Sequence, residues 1–376
     1  MKAKETRKLI INSLENQGFL LENGHILPPA DQSKRNLRLL HALAVKQCID
    51  KAEKGLRKFE PRLLRRLAAG PEVNPERLQP RLVEVKPDSE DELLFRYACL
   101  HWSIPVSSGY GRRLRFLVID EQNEKLIGLF GLGDPIFSLS PRDNWIAWDK
   151  EERKQRLHHV MDAFVLGAVP PYSFLLCGKL IAMLVTSDEV RKIFQLKYGD
   201  RRSLIQGRSL DANLALITTT SALGRSSLYR RITFDGRLIY QSVGFTSGSG
   251  EFHFANGIYR TICEYATQHC QPTAKHRQWG TGFRNRRETV RKCLASLGLS
   301  PELAYHRVKR EIFVIPLAQN AREFLRGEQS TLELFQQPAE ALFDWFRERW
   351  LLPRAGRDQR YLEFLPDSYT IWNDKS

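Results

Sequence analysis

Hydroxyls, glycine and arginine crowd one short stretch of this 376-residue chain: Ser221, Gly224, Arg225, Ser226 and Ser227, with Tyr229 just beyond. They follow the β-rich run 214–220, where a strand hands over to a helix or turn. Hydroxyls beside an arginine at such a junction suit a phosphate or a carboxylate. Capping by Ser226 or Ser227 is the plainer use. Tyr229 is a candidate general acid, because a phenol can protonate a leaving thiolate. A second candidate anion site is the turn 167–172, Gly-Ala-Val-Pro-Pro-Tyr, set between the apolar run 160–166 and the apolar segment 174–185. That segment is expected to be a buried helix. The first N–H groups of a helix lack internal partners, so a rigid turn running from Gly167 to Tyr172 could aim several donors at an anion. The competing reading is a tight strand-to-helix crossover that holds nothing. Arg142 with Trp145 and Trp148 is a candidate stacking surface for a base or planar ligand, against the plainer use of tryptophans to close a core edge. His158, His159 and His253 are candidate bases, with structural histidines as the alternative.

Charge points to a partner. The net charge is +15, and its excess lies in two places. Residues 1–80 carry 16 Lys/Arg against 9 Asp/Glu, and residues 271–310 carry 10 against 2, while the remainder is balanced. Two basic flanks around a neutral body suggest a polyanion, most simply DNA; solvated helix faces are the alternative. Within the second flank, Arg284, Arg286, Arg287, Arg291 and Lys292 interleave with Trp279 and Phe283, a pattern suited to a nucleic-acid surface.

Several classes are disfavoured. The six cysteines form no C-x-x-C pair and fit reduced thiols in a cytoplasm. Cys263, His269 and Cys270 match no zinc spacing, and no metal is expected. No apolar run is long enough to span a membrane, and the N-terminus leads into no signal-peptide core, so a soluble cytoplasmic protein is expected. The chain shows no nuclease carboxylate cluster and no Walker loop.

The supporting elements fall into three segments. Residues 1–90 are expected to hold a basic helical unit: a helical spacing over 6–21 that ends near Gly18 or Asn23-Gly24, a second helix capped by Asp31 or Ser33, a short arginine-studded helix after Pro61, and a proline-rich linker at 70–90. Residues 91–270 are expected to form an α/β core with a mixed sheet flanked by helices. It opens with a hairpin, 114–119 and 126–130, whose polar loop spans about six residues. Residues 271–376 hold the second basic segment and a helical tail, whose aromatic spacing (Phe335, Phe343, Trp345, Phe346, Trp350) suits core or partner contacts.

Four strings carry a family resemblance: Gly109-Tyr-Gly-Arg-Arg-Leu-Arg-Phe116, Arg142-Asp-Asn-Trp-Ile-Ala-Trp148, Val160-Met-Asp-Ala-Phe-Val-Leu-Gly-Ala-Val-Pro-Pro-Tyr172 and Thr218-Thr-Thr-Ser-Ala-Leu-Gly-Arg-Ser-Ser227. They resemble the DruA proteins of Druantia anti-phage defence systems, over about residues 1–330. Gly178-Lys179-Leu180 also fits, which adds Gly178 and Lys179 to the ligand candidates. The resemblance implies a multi-gene bacterial antiviral system in which the protein works beside other components, including a large helicase-like protein. The element order hairpin, strand, turn, helix, strand, short helix, strand pair is also similar to GNAT-type acyltransferases. In that fold the turn at 167–173 would receive a coenzyme pyrophosphate, with Ser226, Ser227 and Tyr229 near the transfer site. The usual Gly-x-Gly is replaced by Pro170-Pro171-Tyr172, and proline has no N–H to give, so acyl-coenzyme A is expected to bind weakly or not at all. Three functions stand side by side: a nucleic-acid-engaging defence component, a GNAT-like transferase acting on nucleic acid or protein, and a scaffold for partner subunits.

Overall fold

The computed structural model describes residues 2–107, 111–199, 212–255, 257–273, 279 and 283–372, without the side chains of Phe283 and Arg284. Its main sheet has seven strands: β1 (Pro80–Glu84), β2 (Arg113–Asp120), β3 (Lys125–Gly133), β4 (Val160–Ala168), β5 (Leu216–Thr220), β6 (Gln241–Phe245) and β7 (Glu311–Pro316). They lie in the order β1-β2-β3-β4-β5-β7-β6. β4 and β5 run parallel, and the other neighbours are antiparallel. This is the mixed sheet flanked by helices expected from the sequence.

The sheet is buried on both faces, so its central strands are apolar throughout rather than alternating with polar residues. Leu114, Phe116 and Val118 of β2 join Phe130, Met161, Ile217 and Phe313 on one face. That face packs on helices α7 (Cys177–Leu184) and α8 (Asp188–Tyr198) and on the tail helix α12 (Ala339–Phe346). Leu117, Ile119 and Leu129 point to the other face. There they meet the end of α2 (Lys34–Leu56), α3 (Glu60–Leu64) and α4 (Glu90–Cys99). Further along this second face, Val160, Leu216 and Val314 pack on α5 (Ser140–Ile146), which leads into α6 (Lys150–Arg156), and on α11 (Ala321–Arg326). A helical layer stands beyond it, in which Ile10 and Leu14 of α1 (Ala3–Asn16) meet α9 (Ile258–His269) and α10 (Phe283–Ser296).

The first helix ends at Asn16, at the Gly18 stop expected as one of its two ends: Gly18 turns left-handed at φ +87°, and Phe19 packs beyond it. Several other expectations change. Ser33 caps α2, its Oγ accepting from the Asn36 amide, while Asp31 holds Ser33. The linker expected at 70–90 contains the edge strand β1, a position that tolerates Pro80 because an edge need not donate on its outer side. The hairpin loop is four residues, 121–124, since Asp120 and Lys125 still pair. The helix expected over 174–185 begins only at Cys177. β7 was not anticipated: it lies past residue 270, yet it inserts between β5 and β6. Residues 252–254 form a 3₁₀ turn. With β1 before residue 91 and β7 after 270, all three expected segments contribute to one sheet. No helix among the described residues is long and apolar enough to cross a membrane.

Candidate functional site

β4 and β5 pair from Val160 with Leu216 to Ala163 with Thr219, and then part. Beyond that point β4 continues only along β3, to Ala168, while β5 ends beside β7. A bulge marks the parting. Leu132 faces Ala163 and Gly131 faces Val165, so Phe164 is an extra residue and its ring turns to the second face. Gly131 makes that position available: a Cβ there would come within 2.4 Å of the Phe164 ring. Two residues earlier, on the same face, stands Asp162. Thr218 donates its hydroxyl to Asp162 Oδ1 at 2.7 Å, as their register dictates.

Asp162 keeps some solvent access, yet burial raises its carboxyl pKa, against the Thr218 hydrogen bond and the charges of Arg142 and Arg310. Arg310 has the same character: it is half-buried, and burial lowers its pKa against the attraction of Asp162. Its backbone is fixed by exchange with Thr246, at 2.8 and 3.1 Å, which directs residue 310 to the face of Asp162 and Thr218. His41 of α2 donates from Nδ1 to Leu37 O at 2.7 Å and stacks on Phe252 at 4.0 Å. Burial, opposed by the Leu37 bond and reinforced by Arg310, lowers its pKa to about 4, so it is neutral at pH 7. Further along α2, Val45, Cys48, Ala52 and Leu56 wall a cavity of about 370 Å³ with Phe95, Trp102 and Phe164, and the charged Glu92, Arg96, Arg113 and Arg115 line it too.

Comparison with known proteins places the chain. A family model described as Druantia protein DruA matches residues 31–327. The Druantia protein DruA of Escherichia coli (strain UMEA 4076-1) is 38% identical over 364 residues, which is 96% of this chain and 90% of that protein. The chain belongs to the DruA family. It is therefore a component of a bacterial anti-phage defence system. No solved structure matches it.

The candidates picked from the DruA sequence fall elsewhere. In the turn 167–179, the amides of Val169, Ser173, Phe174, Leu175, Leu176, Cys177 and Lys179 all donate to backbone carbonyls, so no fan of donors is left for an anion. Gly167 gives room to Trp102, whose ring lies 3.0 Å from where a Cβ would be. Tyr172 is buried and donates to Asp120 Oδ2 at 2.9 Å while accepting from Asn123. Gly178 packs beside Leu228, and buried Lys179 lies 4.6 Å from the Trp350 ring of the tail. Arg142 is fully buried and satisfied by Asp143, Ile136 O and Phe137 O. Trp148 is also buried, with Nε1 donating to Leu325 O at 2.6 Å. The stacking surface thus gives way to core closure, leaving Trp145 half-buried against Arg322.

The hydroxyl-rich stretch does bind a carboxylate, but that carboxylate belongs to the protein. Glu311 accepts from Arg230, from Ser242 Oγ at 2.6 Å and from the Ser226 amide at 3.0 Å. Ser221 donates to Gly224 O, and Ser226 Oγ caps the 3₁₀ turn Tyr229–Arg231 by accepting from the Tyr229 amide. Ser227 and Arg225 are exposed, the latter 5.7 Å from the Phe245 ring. Tyr229 stacks on Tyr240 at 4.7 Å on the first face, across the sheet from Asp162, and burial raises its phenol pKa. That makes it a poor proton donor at neutral pH. His159 pairs with Asn213, and His253 donates to Leu303 O; both are structural.

In the basic segment, α10 divides its charges. Arg286 Nε lies 2.7 Å from buried Glu251 Oε2, with the guanidinium 4.0 Å over Tyr259. Lys292 pairs with Glu288 at 3.1 Å and donates to Gln271 O. Trp279 is half-buried against the helical layer, 5.9 Å from Lys292. Arg287 and Arg291 are exposed, four residues apart, and form no ion pair among the described residues. The side chains of Phe283 and Arg284, and residues 274–278, lie outside the described residues, as do Gly109 and Tyr110. Asp162, Arg310, Thr218 and His41 were missed. One signal was available: Asp162 is a lone acid inside the apolar run 160–166.

Proposed function

We propose that this DruA protein engages DNA for its defence system through the helical layer of α1, α9 and α10. The observation that carries this reading is the exposed Arg287–Arg291 edge of α10, in a segment with 10 basic and 2 acidic residues. Lys4, Arg7 and Lys8 are exposed on α1 in the same layer. Two arginines one turn apart follow a phosphate backbone well, and such contacts position rather than specify. The protein works in the bacterial cytoplasm beside other components of the system, a helicase-like protein among them. The acyl-transferase reading loses its main support, because the amides of the 167–179 turn are spent internally and Trp350 stands over Lys179.

The experiment is a salt titration of duplex DNA binding by fluorescence anisotropy, comparing wild type with Arg287→Ala/Arg291→Ala. Losing two phosphate contacts should flatten the slope of log affinity against log salt by about 1.8 units. No binding at low salt, or an unchanged slope in a folded double variant, overturns the reading.

A further inference from the structure

We infer that the cavity between α2, α4 and the sheet binds a small amphipathic molecule, an apolar body that carries one oxyanion head, a carboxylate or a phosphate. This stands apart from the nucleic-acid reading. Regular patterns in the chain build the cavity. Val45, Cys48, Ala52 and Leu56 recur at helical spacing along α2, and Glu92, Phe95, Arg96 and Cys99 do so along α4. Arg113 and Arg115 alternate along β2 on the face that also carries Leu117 and Ile119, which turns both arginines toward α4. Trp102 and Phe164 complete the wall. Leu56 and Phe95 are buried, whereas Arg96 and Arg113 are exposed. The apolar walls therefore lie inward, and charge sits toward solvent.

The sign of that charge follows from the pairs. Arg115 Nη1 donates to Glu92 Oε1 at 2.7 Å, and its guanidinium lies 5.8 Å over the Phe95 ring. This bond takes up the single acid of the lining. Arg96, one turn beyond Glu92 on α4, makes no ion pair among the described residues. Glu84, on the strand beside β2, is held by Lys86 and Lys197 and neutralises neither arginine. Three arginines against one glutamate leave the lining positive. An ammonium is repelled there. A nucleoside would press polar ring and sugar groups on walls with few partners for them, a cost left uncompensated. An apolar anion satisfies both parts, its head taking charge-assisted hydrogen bonds and its body covering the walls. At about 370 Å³ the cavity is at the small end for ligand sites, which suits a short chain or one or two rings rather than a lipid.

The test is calorimetry of the full chain with octanoate, octyl phosphate, octanol and octylamine, each below its aggregation limit. One of the two anions should bind at least about ten-fold more tightly than octanol, the worth of one charge-assisted hydrogen bond. The tighter anion names the head group, and octylamine should give no heat. In Arg96→Gln or in Arg115→Gln that preference should fall to about three-fold, with octanol unchanged. Ala52→Phe, which fills the cavity from α2, should abolish binding of every ligand, and the two arginine variants carry the test if it fails to fold. Four results overturn the site: no heat from either anion, an equal response to octanol or octylamine, a preference that survives both arginine variants, or undiminished anion binding in a folded Ala52→Phe protein.

Discussion

Thr218 donates its hydroxyl to Asp162 Oδ1 at 2.7 Å across the parallel seam of the sheet, and no other side chain among the described residues bonds that carboxylate. Burial raises the Asp162 pKa above its unfolded value, so the native state holds that proton to higher pH than the unfolded chain does. Stability therefore falls as pH rises from the unfolded pKa through the raised one, and above both the ionised carboxylate is a standing cost. Asp162→Asn should raise the Tm at pH 7, and the gain should shrink toward pH 4. A lower Tm at pH 7 would show that the charge is compensated and supports the fold.

Four buried histidines titrate in the opposite sense. Burial is the largest cause for each, lowering His41 and His253 to about 4 and His159 and His306 to about 3. Below the unfolded value near 6.5 the unfolded chain takes up protons that the native state refuses, until about pH 4. Each histidine then removes up to about 1.4 kcal/mol per pH unit over that window. Thermal melts should show Tm falling steeply from pH 6.5 to 4. A flat profile between pH 6.5 and 5 would mean that these rings are solvated.

Gly131 and Phe164 should be coupled. A Cβ at residue 131 would sit 2.4 Å from the Phe164 ring, so Gly131→Ala displaces the ring that floors the cavity. The cost should be about 1–3 kcal/mol, typical of overpacking. In a Phe164→Leu background the same substitution should cost clearly less, because the clashing ring is gone. Chemical denaturation of the four proteins of the cycle measures this. Additive costs would place the ring elsewhere.

Glu311 is a buried carboxylate with three donors, and their bonds hold its pKa below the ordinary range despite burial. Glu311→Ala would strand the Ser226 amide and Ser242 Oγ and leave Arg230 unpaired. A loss of about 1–3 kcal/mol is expected from the hydrogen bonds lost, since Arg230 and Ser242 are exposed enough to rehydrate. A loss under 1 kcal/mol in urea unfolding would mean that water replaces the carboxylate.

What the sequence made legible was governed by local pattern. β2, β3, β4 and β5 showed as apolar runs, and Ser33 showed as a cap, because neighbouring residues decide those features. β7 did not, since Glu311–Pro316 becomes a central strand only by inserting between two strands far away in sequence. Polar residue type misled for a related reason. Ser221, Arg225 and Ser226 looked like anion binders; the anion that the Ser226 amide and neighbouring Arg230 meet is Glu311, some 80 residues on, and Ser221 Oγ accepts from the Glu311 amide. This group of polar residues is legible only after folding: Asp162, Thr218, Arg310 and His41 come from three strand regions and a helix, and only Asp162 stands out locally.

The charges of α10 should separate in experiment as they do in structure. Arg286 faces Glu251, whose side chain is 8% exposed, and stacks on Tyr259 at 4.0 Å. Removing Arg286 leaves Glu251 without its partner at a site where burial already raises its pKa. Arg286→Ala should therefore lower stability by about 2–4 kcal/mol, as when one member of a largely buried pair is removed. Arg287 and Arg291 are exposed, so their replacement should change stability by no more than about 0.5 kcal/mol. DNA binding should show the reverse order. The Arg287→Ala/Arg291→Ala protein should lose salt dependence, whereas Arg286→Ala, measured where it is still folded, should keep nearly all of it. Thermal melts and salt-titrated anisotropy on the same three proteins separate the two roles. Equal loss of salt dependence in both variants would mean that Arg286 leaves Glu251 for the phosphate backbone, and that the Glu251 pair is a resting state rather than a fixture of the fold.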